Sequence, residues 1–103
     1  MPAASDAPAP LYLLAVIRPR LDLLDVVEER LRVMMAASER EPGCSFMELA
    51  VDPSDATTWY MFEKFHSRAD WDDHMQTEHV IAGNDFLADK LREPTELRLY
   101  AGK

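Results

Sequence analysis

The chain has little with which to hold a polyanion or to cross-link itself. Lys and Arg supply 11 of its 103 residues against 19 Asp and Glu, for a formal net charge of −8. Phosphate backbones are bound through clustered cations, so this balance argues against nucleic acid and against anionic membrane surfaces as partners. The single cysteine, Cys44, cannot close an internal disulfide, which fits a reducing cytosol and hence a cytoplasmic location. No apolar run approaches the roughly 20 residues that span a bilayer. The opening MPAASDAPAP lacks the basic and apolar regions of a secretory signal and reads as a flexible lead-in over residues 1–10. There is no internal repeat, and no GxGxxG, P-loop or G-x-S-x-G, so no motif supports a dinucleotide, NTPase or serine-hydrolase reading.

What remains is one domain over residues 11–103 with 48% hydrophobic residues. A domain of this size buries only about two thirds of its unfolded surface, so the apolar content favours an oligomer. LYLLAVIR (Leu11 to Arg18), ended by Pro19, suits a strand buried on both faces. Asp22 is placed to cap a helix to about Ser38, with Leu24, Val27, Leu31 and Met34/Met35 at helical spacing. Glu41 to Gly43 breaks the chain, Cys44 to Val51 is a strand, and DPSD (Asp52 to Asp55) is a turn leading into a strand over Thr57 to His66. Ser67 opens a capping-box pattern before a short helix. Thr77 is placed to cap a further helix to about Leu91, anchored by Ile81, Leu87 and Leu91, and Thr95 to Ala101 alternates as a last strand. The order β-α-β-β-α-β predicts an α+β, ferredoxin-like fold with an antiparallel sheet and helices on one face. Its other face then needs a partner, for which a homodimer is the simplest choice.

The third strand separates two faces, Trp59, Met61, Glu63 and Phe65 on one and Tyr60, Phe62, Lys64 and His66 on the other. Both carry aromatics, so both are expected to be at least partly covered. Glu63 is the lone charge among large apolar side chains, and a carboxylate buried there must be paired or protonated. It is either bonded to a neighbouring Arg or backbone group or tuned by a pocket as an acid or base. His66 reads as polar trim, and Cys44 as an inert small residue at a strand start.

DHMQTEH (Asp73 to His79) holds two of the three histidines. On one continuous helix His74 and His79 point about 140° apart, so they share no ion, and the segment matches no strong metal motif. A break at Thr77 brings them together at a helix corner. His79 then lies in a first helical turn, where unpaired N–H groups disfavour imidazolium and leave a neutral proton acceptor. The alternative is that the two imidazoles only tie the corner together.

Two motifs carry a family resemblance. EPGC (Glu41 to Cys44) and the later EKFHSRADWDDHMQTEH, with Glu63, Ser67, His74, Thr77 and His79 in matching positions and Phe65 in the aromatic slot, resemble the antibiotic biosynthesis monooxygenase superfamily. The resemblance implies a dimeric α+β barrel with a pocket between sheet and helices. It also implies oxidation of quinols or anthrones by O2 without metal, flavin or haem, although the family includes haem-degrading enzymes and an isomerase of a phosphorylated sugar. Met61 and Phe65 stand where anthrone-oxidising members carry Asn and Trp. The slots of haem-degrading members hold Ile17, His74 and Asn84, without the haem-ligating His. The expected activity is therefore a cofactor-independent monooxygenase acting on a small aromatic, quinol-like substrate with O2. His79, His74 and Glu63 are its candidate catalytic groups; Phe65, Trp71, Met47, Met61 and Phe86 are its candidate pocket wall; no metal is assigned. The alternatives are a non-catalytic small-molecule-binding or stress-associated module and an isomerase acting on a small polar substrate.

Overall fold

Strand β1 (Leu11–Ile17) is followed by helix α1 (Leu24–Ser38), strands β2 (Cys44–Asp52) and β3 (Asp55–Phe65), helices α2 (Arg68–Met75) and α3 (Glu78–Leu87), and strand β4 (Glu96–Ala101). The computed structural model describes residues 8–103, so most of the expected lead-in lies outside the described residues. The four strands form one antiparallel sheet in the order β2-β3-β1-β4. This is the ferredoxin-like α+β arrangement, with its second helical position divided into α2 and α3.

Strand register decides what lies under the helices. Leu13 pairs with Glu63, which pairs with Met47; Ala15 pairs with Met61, which pairs with Leu49. Because side chains alternate along a strand, these rows share the helix-side face. The main core gathers Ala15, Ile17, Val27, Leu31, Met35, Trp59, Met61 and Leu87, while Leu11, Leu13 and Phe65 form a second cluster with Cys44 and Trp71 against it. The intervening residues Tyr12, Phe46 and Phe62 fall on the opposite face and are exposed. The opposite face of β1 and β3 is thus partly covered within one chain, with Val16 and Thr58 buried and Tyr12 and Phe62 open, which for β1 falls short of the burial on both faces that its apolar run suggests.

Three local expectations change. Helix α1 has Leu23 at its N-cap with no side-chain hydrogen bond, and Asp22 instead accepts from the Arg20 guanidinium at 3.1 Å. Helix α3 stops at Leu87 rather than Leu91, since Leu91 is drawn into a bridge with Pro19, flanked by Arg20 N–H to Lys90 O and Arg92 N–H to Arg18 O, both 2.9 Å. Ile81 is exposed, and Val80, Gly83 and Leu87 form the buried stripe of α3. Gly83 lies against the Met34 side chain so closely that a Cβ there would collide with it, which is how α1 and α3 come together. Among the described residues no helix is long and apolar enough to cross a membrane.

Candidate functional site

Three chain breaks converge on one corner. Helix α1 ends in a tight turn, with Glu41 N–H donating to Ser38 O at 3.0 Å and Cys44 N–H donating to Glu41 O at 3.1 Å. That turn presents the Glu41 side chain beside α2. Gly43 makes the approach possible, because a Cβ there would come within 2.5 Å of Asp70 Cβ and Cγ in the first turn of α2. Helix α2 is started by Ser67, whose Oγ accepts from Asp70 N–H at 3.1 Å and donates to Asp70 Oδ2 at 2.9 Å. It ends at Met75, and Thr77 both donates to His74 O at 2.7 Å and accepts from Val80 N–H at 3.4 Å as the cap of α3. The break puts His74 in the last turn of one helix and His79 in the first turn of the next.

Both imidazoles meet Glu41. Its Oε2 lies 2.9 Å from His74 Nδ1 and 2.7 Å from His79 Nε2, and its Oε1 lies 3.1 Å from His74 Nδ1. An ionised carboxylate only accepts hydrogen bonds, so each facing ring nitrogen carries the shared proton. In a neutral His74 the lone pair is then on Nε2, which has no hydrogen-bond partner among the described residues. The His74 ring is buried and packs on Phe65, with ring centroids 4.7 Å apart.

Beside this corner, between sheet and helices, lies a cavity of about 510 Å³. His74, Glu63 and Trp71 line it with Met34, Met35, Met47, Met61 and Met75, and Glu93, Pro94 and Leu97 also contribute to its wall. Among the described residues no Lys or Arg lines it. Glu63 is nine-tenths buried and makes no hydrogen bond or ion pair among the described residues. Removal from water, and secondarily the Glu41 charge, push its carboxyl up from 4.5 to about 7.

A sequence description of antibiotic biosynthesis monooxygenases matches residues 10–85. The chain belongs to the antibiotic biosynthesis monooxygenase family. No curated protein matches it. Among solved structures it resembles a Nitrosomonas europaea protein, itself only provisionally named an antibiotic biosynthesis monooxygenase, at 24% identity, covering 92% of this chain and 91% of the other with a TM-score of 0.87. A Pseudomonas aeruginosa protein is similar at 26% identity over 94% and 97% of the two chains, TM-score 0.85. A Mycobacterium tuberculosis protein is similar at 23% identity over 92% and 96%, TM-score 0.87.

Within this family member the expected site residues separate into groups. Glu63, His74, Trp71, Met47 and Met61 line the cavity together. Phe65 is fully buried behind the His74 ring, so it supports the wall rather than forming it. Phe86 is not on the wall: its ring lies between the Arg30 guanidinium, 4.6 Å from the centroid, and Lys90 Nζ, 4.1 Å away. His79 does not line the cavity either, and its Nε2 is turned to Glu41. Glu41 was not among the expected site residues, although it sits in the EPGC motif that carries the family resemblance. Cys44 is partly buried, and burial, then Glu41, Glu63 and Glu39, push its thiol up to about 11, the direction of an unreactive group.

Proposed function

We propose that the protein is a cofactor-independent monooxygenase that oxidises a neutral, flat quinol- or anthrone-like molecule with O2. The observation that carries this reading is the pair His74 and Glu63 on one methionine-rich apolar cavity without a cation. Thioethers pack well against aromatic rings, and a wall without Lys or Arg gives a phosphorylated sugar no counter-charge. The isomerase alternative is disfavoured on that ground.

In this reading His74 Nε2 takes the proton of the bound phenol or enol, and the resulting imidazolium is held by Glu41. Glu63 in its protonated form donates a hydrogen bond to the new oxyanion. The anion then reduces O2. With an anthrone, one oxygen atom replaces two hydrogens at the reacting carbon and the other leaves as water, so all electrons come from the substrate. In this reading His74 rather than His79 is the base, because His74 lines the cavity and His79 does not.

The reading includes a homodimer formed through the open sheet face, where Tyr12, Phe46, Phe62 and Tyr100 are exposed. The lone Cys44 fits a cytoplasmic setting. Oxygen uptake by chelator-treated protein over a panel of hydroquinones and anthrones tests the activity. Substrate-dependent uptake is expected; binding without turnover across the panel would instead identify a binding module. Light scattering at micromolar concentration tests the dimer, and a monomeric mass would remove it.

A further inference from the structure

The carboxylate corner has the makings of a second site. Glu41 Oε2, His74 Nδ1 and His79 Nε2 come from a turn, a helix end and a helix start, yet all lie within 4.8 Å of one another. The carboxylate sits 2.7 Å from one ring nitrogen and 2.9 Å from the other. Neighbouring ligand atoms around a tetrahedral zinc-like ion, with bonds of roughly 2.0–2.2 Å, are about 3.3–3.6 Å apart, so the two oxygen–nitrogen pairs must open by roughly half an ångström and the two nitrogens close by no more than about 1.5 Å. The pairing of the two histidines that a continuous helix forbids is supplied by the break at Thr77.

We infer that Glu41, His74 and His79 form a binding site for a single divalent transition-metal ion of the zinc or cobalt class, which displaces the protons now shared between them. Two imidazoles and one carboxylate favour such ions over magnesium or calcium, which prefer all-oxygen shells. Three protein ligands leave one position for water, and the His79 side chain, 27% exposed, keeps the corner open to solvent. Glu41 and His79 do not line the cavity, so the ion is held outside it, behind the His74 ring.

The ion has a consequence for the cavity, and this step rests on the proposed role of His74. With Nδ1 bound to metal, the remaining proton of His74 resides on Nε2. The group facing the cavity then donates a hydrogen bond instead of accepting a proton. The ion is therefore an inhibitor of the proposed oxidation, not its cofactor.

Equilibrium dialysis of the apo-protein against Zn(II), with metal analysis, and visible absorption on titration with Co(II) test the site. One ion per chain and tetrahedral-type cobalt bands are expected, with affinity at least ten-fold weaker in H79A and in E41Q and unchanged in C44S. No saturable uptake, uptake that survives both H79A and E41Q, or loss in C44S alone would overturn the inference. H79A, which removes the most exposed of the ligands, keeps the test open if E41Q does not fold. Turnover should fall along the same Zn(II) saturation curve. Stoichiometric uptake without inhibition would uphold the site and count instead against His74 as the base.

Discussion

Glu41 and Glu63 are carboxylates of the same small domain, and the fold treats them in opposite ways. Glu41 sits in a turn, partly exposed, between two imidazoles that donate to it. Glu63 sits mid-strand, paired in register with Leu13 and Met47, under the helices and without a partner among the described residues. The first position holds an acceptor that orients its two neighbours. The second favours a carboxyl poised between its two protonation states, because burial without a partner penalises the ionised form. A charged anchor and an uncharged donor on either side of His74 are what removal of a proton from a neutral substrate requires. The difference arises from topology and not from residue type.

Breaking the comparison at its centre should have the largest effect. His74→Ala removes the base while leaving both carboxylates, and kcat/KM for a turned-over quinol is expected to fall about 10²–10⁴-fold, measured by oxygen uptake. A loss under ten-fold would leave His74 with a packing role only.

Glu63→Gln removes the buried carboxyl and leaves Glu41 in place. The folded carboxyl is raised from 4.5 to about 7, so the wild type is most stable relative to this variant below pH 4.5 and loses that advantage as pH rises through 7. Between pH 4.5 and pH 8 the stability difference should move by about 3 kcal/mol in favour of the variant, read from urea midpoints at the two pH values. Its activity should stay within several-fold of wild type, because the amide still donates, and should lose the alkaline fall near pH 7. If the variant is inactive at all pH values, Glu63 is the base and the assignment to His74 is wrong.

Gly43→Ala acts on the anchor side alone. The added methyl meets Asp70 at the start of α2, so the helix must shift away from the Glu41 turn. A destabilisation of about 1–3 kcal/mol is expected from such overpacking, with a raised KM as His74 loses its alignment. Unchanged stability and kinetics would show that the corner tolerates movement and does not position the base.

Much of the fold was readable from local chemistry. The alternation of β3, the DPSD turn, Ser67 and Thr77 as caps and the helical spacing of Val27, Leu31 and Met35 each act within a few residues of where they are seen. The cap at Thr77 also made the divided corner legible. Glu41 as the partner of both histidines was not, because it lies 33 residues from His74 and 38 from His79, and no periodicity links a turn to a helix end. The placement of Phe86 missed for a related reason. Its apolar ring marks it as a candidate wall, but Arg30 from α1 and Lys90 beyond α3 enclose that ring away from the cavity. The early stop of α3 depends on the pairing of Leu91 with Pro19, far away in sequence.

The central claim is that the cavity removes a proton from a neutral aromatic ligand, and it can be observed before any oxygen reacts. Anthrone mixed with the protein under anaerobic conditions near pH 6.5 should develop the absorption of its anion in wild type, and should bind to His74→Ala without that change. Anthrone that binds to the wild type, as shown by calorimetry, yet stays in its neutral form would contradict the account.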